Sequence, residues 1–116
     1  MPQSWPAVSE MAFTDNLKQL PRISHLAALQ LLDSSGTQIA LIENRAGSTG
    51  SAVVYNYLAQ VYGAITPEAA QRGLELYAEH VEDARLNPGK HPNIDRLLGL
   101  IERNETLRIK HQFTTD

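Results

Sequence analysis

The stretch that decides the fold is LAALQLLDSSGTQIALIE, residues 26–43. Two apolar runs flank Asp33-Ser34-Ser35-Gly36. Gly36 can take the left-handed conformation that a type I turn with a bulge requires. The pattern predicts an antiparallel hairpin, about residues 26–33 with 37–43. Both strand faces carry apolar side chains, so neither face is expected to be fully wet.

The far end of the chain supplies a partner for this hairpin. TLRIKHQF, residues 106–113, alternates, with Leu107, Ile109, His111 and Phe113 on one side and Arg108, Lys110 and Gln112 on the other. Such alternation predicts a terminal strand beside the hairpin. His111, on the apolar side, reads as a satisfied core or interface histidine. His25, at the hairpin entrance, carries no signal.

Between them the period changes from two to about 3.6. Val53, Val54, Tyr57, Leu58 and Val61 form one stripe on a helix over residues 51–62, with Gly63 at its C-terminal cap. Thr66-Pro67-Glu68 is a strong helix start, combining a capping hydroxyl, a first-turn proline and an acid at the positive dipole end. That helix is expected to run to about residue 86, with Ala70, Leu74, Tyr77, Val81 and Ala84 inward, until Asn87-Pro88-Gly89 ends it. Asn93 caps a further helix whose stripe is Ile94, Leu97, Leu98 and Ile101, and Asn104 closes it. Upstream, FTDNLKQLP at residues 13–21 predicts a short helix with Thr14 as N-cap and Pro21 as its stop.

The order α-β-β-α-α-α-β implies an α+β fold. A small, mainly antiparallel sheet, hairpin plus C-terminal strand, is covered by three or four helices. Residues 1–12 hold Pro2 and Pro6, show no period and read as a loosely held arm. Trp5, the only tryptophan in the chain, is its candidate for docking on the core or on a partner subunit. Residues 13–116 are read as the single globular domain.

Composition narrows the function classes. With 116 residues, 42% hydrophobic and 20% charged, the chain can bury one core without a metal or disulfide. A formal net charge of −3 argues against a nucleic-acid partner, which needs a basic surface to neutralise phosphates. No cysteine is present, which excludes disulfides, zinc thiolates and thiol nucleophiles. No apolar run approaches the ~20 residues that span a bilayer. The N-terminal MPQSWPAVSEMAF lacks the basic start and apolar core of a secretory signal. A cytoplasmic protein with no membrane partner is the expectation.

Chemistry is concentrated in two places. The first is the loop ENRAGSTGS, residues 43–51, which joins a strand to a helix start. Free amides and the helix dipole favour an anion there. Ser48, Thr49 and Ser51 add hydroxyls, Arg45 adds charge, and Gly47 and Gly50 let the backbone approach a ligand. The loop is no Walker motif, because the Gly47–Gly50 spacing is short and no Lys-Ser or Lys-Thr pair follows. The same hydroxyls also serve as ordinary helix caps.

Residues 39–63, a strand followed by Asn44-Arg45-Ala46-Gly47 and an apolar-striped helix, resemble the start of an ACT-type regulatory domain. That resemblance implies a small effector, often an amino acid, bound near the turn at a subunit interface. Ala46 stands where that family has proline, the loop is longer, and Thr66-Pro67-Glu68 opens a helix where the family has a strand. The effector idea carries over and the full fold does not. More broadly, FTDNLKQLP, the hairpin, IENRAGSTGS, GLELYAEHVEDAR and PGKHPNIDRLL resemble a family of small bacterial proteins known only as a domain of unknown function. The likeness runs from about Phe13 to Leu98 and implies a bacterial cytoplasmic origin without a mechanism.

The second place is ELYAEHVEDARLNPGKHPNID, residues 75–95. His80, Asp83, His91 and Asp95 converge if the two helices pack antiparallel, and two imidazoles with two carboxylates suit zinc, manganese or iron. No other cofactor is implied. Acids on a helix face are also an ordinary solvated surface, and Asp95 near a helix start is favoured by the dipole alone. Lys90 and His91 would equally serve an acidic ligand without metal, with Asp95 fixing the imidazole tautomer.

LAQVYGAITPEAAQRGLEL also has a helix-turn-helix look, although Glu68 and Glu75 on its second helix would repel phosphates. The expected function is therefore a non-catalytic binding or regulatory module for a small anionic or amino-acid-like ligand, self-associated as a homodimer. The ligand-binding candidates are Arg45, Gly47, Ser48, Thr49, Gly50 and Ser51. The alternative is a small metal-dependent enzyme using the His/Asp cluster, and DNA binding is the remote one.

Overall fold

The computed structural model describes residues 12–115, so Trp5 and all of the arm but Ala12 lie outside the described residues. Five helices and three strands follow in order: α1 (Phe13–Leu17), β1 (Leu26–Leu32), β2 (Gln38–Glu43), α2 (Thr49–Tyr62), α3 (Pro67–Tyr77), α4 (His80–Leu86), α5 (Pro92–Arg103) and β3 (Arg108–Phe113). The expected α-β-β-α-α-α-β order holds, with the long third helix divided into α3 and α4.

The hairpin forms because its turn satisfies its own backbone. Asp33 Oδ1 accepts the amides of Ser35 and Thr37 at 2.9 and 3.0 Å, and Gly36 takes a φ of 83°. β3 pairs antiparallel with the other side of β1, giving the sheet order β2-β1-β3. Leu29 faces Ile42 and His111 across the ladders, and Leu31 faces Ala40 and Ile109. This row meets α2, which touches all three strands. The opposite row sets Gln30 beside Leu41 and Lys110, and Leu32 beside Arg108.

That opposite face is wet on its outer strands and half-buried on β1 at Gln30 and Leu32, in keeping with the expectation that neither face is fully wet. Leu41 is 44% exposed, and its neighbours Lys110, Glu43 and Arg108 are exposed too. The apolar excess of β2 arises partly from the register shift between Leu31 and Leu32, where an extra residue interrupts the alternation.

A single apolar cluster fills the space between sheet and helices, with Tyr55, Leu58, Ile65, Ile94 and Leu97 at its centre. The stripe expected on α2 is rotated. Val61 is 56% exposed, whereas Tyr55 and Asn56 are fully enclosed. α2 is covered on two sides, by the sheet and by α3, so burial reaches polar positions that a one-sided stripe excludes. The Tyr55 hydroxyl donates to the Asn93 carbonyl at 2.6 Å, and His111 Nε2 bonds Asn56 Oδ1 at 2.9 Å. α3 crosses α5 closely at Gly73, where a Cβ would stand 2.7 Å from Leu97. No helix among the described residues is long and apolar enough to cross a membrane.

Candidate functional site

The glycine-bearing loop is built largely to hold itself. Asn44 Nδ2 donates to the carbonyls of Ile23 and Leu26 at 2.9 and 2.8 Å, tying the loop to the approach of β1. Ser48 Oγ donates to the Glu43 carbonyl, and Thr49 Oγ1 donates to the carbonyl of Arg45 and to Asn44 Oδ1. The amides of Ser48 and Thr49 both reach the Arg45 carbonyl at 2.9 Å. Gly47, at φ 95°, supplies the left-handed step that reverses the chain. Two hydroxyls and two amides of the expected anion site are thus saturated within the loop.

The next amides are not. Among the described residues no acceptor bonds the N–H groups of Gly50 and Ser51 in the first turn of α2, and none bonds that of Asn93 in the first turn of α5. Orphan donors of this kind are the usual property of a helix start. Here the two starts border one cleft of about 250 Å³, which also receives Phe13, Tyr77, His80, Lys90 and His91. The loop and the histidine cluster, separate in sequence, share this cavity.

Each wall has a structural cause. Gly50 has no Cβ, and one built there would lie 3.1 Å from the Phe13 ring, so glycine lets α1 close against α2. Phe13 stacks on Tyr77 with centroids 5.1 Å apart, and its amide donates to Glu79 Oε1 at 2.9 Å. That bond is the main reason Glu79 titrates below the ordinary glutamate value. Tyr77 donates to Ser51 Oγ at 2.6 Å, and burial, followed by the neighbouring Tyr55, pushes its pKa far above the tyrosine range. Tyr77 therefore remains a donor, and among the described residues nothing accepts the Ser51 proton.

The break between α3 and α4 sits beside the cleft. Ala78 adopts φ 53°, ψ −118°, a conformation costly for a residue with a Cβ. It carries the chain from Tyr77 to His80, whose ring meets Phe13 edge-on at 5.2 Å and lies 5.7 Å from the His91 ring.

Asp83 organises the opposite rim from behind. Its Oδ2 accepts from His91 Nε2 at 2.7 Å and from Lys90 Nζ at 3.0 Å, while Asn87 Nδ2 donates to Oδ1 at 2.9 Å. The His91 and Lys90 hydrogen bonds lower the Asp83 pKa to about 2. Asp95 turns away and accepts the Gly89 amide at 2.9 Å, fixing the turn that presents Lys90.

Of the residues singled out from the sequence, Gly47, Gly50, Ser51, His80 and His91 line the cleft. Arg45 points elsewhere and pairs with Glu43 at 3.4 Å. Ser48 and Thr49 face the loop backbone, and Asp83 and Asp95 act as supports. Among the described residues no three His, Asp or Glu side chains are arranged to hold a metal ion. α3, the second helix of the helix-turn-helix look, buries Ala69, Ala70, Gly73 and Leu74. Phe13, Tyr77 and Asn93 were not anticipated at a site. Phe13 and Tyr77 look like core residues in the sequence, and Asn93 looks like a cap.

Comparison with characterised proteins and with solved structures gives no match. A family model does match, over residues 13–111, which spans every element described above except the last two residues of β3. The chain belongs to a bacterial family, a domain of unknown function described as an uncharacterised protein conserved in bacteria.

Proposed function

We propose that the protein is a binding module for a small anionic ligand held in the cleft between the starts of α2 and α5. The carrying observation is the convergence of three unbonded amides, those of Gly50, Ser51 and Asn93, on one cavity rimmed by Lys90. Two helix dipoles then act on the same negative group, and Lys90 adds charge at the mouth. Ser51 offers a hydroxyl proton, because its oxygen already accepts from Tyr77.

Amide NMR during titration with inorganic phosphate and with acetate tests this reading. Shifts are expected at Gly50, Ser51 and Asn93, weakened about fivefold by Lys90→Ala, the loss of one screened charge. Arg45→Ala should leave the affinity unchanged, since Arg45 does not reach the cleft. Absence of shifts at all three amides up to millimolar anion would sink the reading.

A second reading is favoured by one contact, the 2.7 Å bond between Asp83 and His91. A carboxylate that fixes an imidazole at a cavity edge is the arrangement of a general base, and no metal is needed for it. Loss of turnover in Asp83→Asn with ligand affinity retained would distinguish this enzyme from a pure binder. We also propose that the protein is cytoplasmic and pairs with a second copy of itself. Support comes from the two edges of the three-stranded sheet and from exposed Ile39 and Leu41 on the β2 edge.

A further inference from the structure

We infer that the ligand of this cleft is a single-ring aromatic acid, an inference that rests on the anion-binding reading above. Four rings run in sequence along one wall. Tyr77 stacks on Phe13 at 5.1 Å and 11°, Phe13 meets His80 edge-on at 85°, and His80 lies 5.7 Å from His91. The buried end of this series is Tyr77, and the open end is the His80–His91 pair. A planar ring entering there finds faces and edges already set at the spacings that aromatic pairs prefer.

The amide-bearing residues adjoin these rings in the same cavity, Ser51 through its 2.6 Å bond from the Tyr77 hydroxyl. Gly50 borders both: its amide is one of the unbonded donors, and its missing Cβ leaves the Phe13 ring against the backbone. An acid group on the Gly50 amide therefore places the atoms attached to it near the Phe13 ring, which His80 meets edge-on. Size limits the choice. At about 250 Å³ the cleft is smaller than the range of about 300–1,000 Å³ typical of sites for drug-sized ligands, so it suits one ring with its acid group rather than a nucleotide. Ile94 and Pro92 complete an apolar lining that a fully hydrated ion such as phosphate alone would not use.

The test is an NMR titration of the full chain with three probes: benzoate, cyclohexanecarboxylate and inorganic phosphate. Benzoate is expected to bind about tenfold more tightly than cyclohexanecarboxylate, the factor one favourable ring contact supplies. Ring-current shifts should appear on the His80 and His91 side chains. Phe13→Leu should remove the preference while keeping the cyclohexanecarboxylate affinity within about threefold, since only the ring contact is lost. Because Phe13 also supports Tyr77, His80→Leu at the open rim serves as the second variant and should reduce the preference by itself.

Equal binding of the two carboxylates, or binding of phosphate alone, overturns the aromatic inference while the anion reading stands. A preference that survives His80→Leu and Phe13→Leu also overturns it. Failure of all three probes to move the Gly50, Ser51 and Asn93 amides removes both together.

Discussion

Ala78 shows how much one residue can settle. No glycine or proline marks the step from α3 to α4, and helical periodicity continues across it through Tyr77, Val81 and Ala84. The chain nevertheless leaves helical space there, at φ 53°, because Phe13 stacks on Tyr77 and bonds Glu79 just beyond. Glycine relieves a strained positive φ at some cost in unfolded-state entropy, so Ala78→Gly is expected to raise stability by about 1 kcal/mol in urea denaturation. Asp83 makes a second residue-scale prediction. Its pKa is about 2 folded against 3.8 ordinarily, so its contribution is complete above pH 3.8 and is lost as pH falls toward 2. Acid titration of stability should show this loss, and Asp83→Asn should remove that part of the slope. An unaltered acid limb would mean that the His91 and Lys90 contacts are not maintained in solution.

At the scale of elements, the helices are held by close approaches more than by propensity. α3 meets α5 at Gly73, with Leu97 and Leu58 filling the space a side chain would need. Gly73→Val is expected to destabilise the protein by about 2–3 kcal/mol, since overpacking a core and placing a β-branched residue in a helix act together. A measured loss below 0.5 kcal/mol, on the order of a neutral surface change, would show that the crossing is looser than described. The loop between β2 and α2 illustrates the other side of this economy. The hydroxyls of Ser48 and Thr49 close the corner, and the residues with unbonded amides that line the cleft are the next two, Gly50 and Ser51.

For the molecule as a whole, the open sheet face and its edges make the clearest statement. Leu41 stands 44% exposed on edge strand β2, opposite Gln30 and in the same row as Lys110. If a second copy covers this region, light scattering should give the mass of two chains, and Leu41→Lys should return it to one. A mass of one chain for the unmodified protein would remove the dimer proposal. The variant is a fair control, because a lysine on an already exposed strand position costs little within one chain, about ±0.5 kcal/mol.

The sequence by itself determined the strands, the order of elements and every helix except the division of α3 from α4, because each is written in local chemistry. Asp33 and Gly36 specify the hairpin turn, Thr66-Pro67 starts α3, and the alternation from Arg108 to Phe113 marks a strand whatever lies around it. The same local chemistry gives no sign that Arg45 pairs with Glu43 or that Asp95 accepts the Gly89 amide, since both depend on geometry. Tertiary structure alone decided the break at Ala78, the burial of Tyr55 and Asn56, and the meeting of Gly50 with His91 across one cleft. Those features depend on contacts between residues tens of positions apart, where packing overrides local preference and the spacing along the chain carries no information.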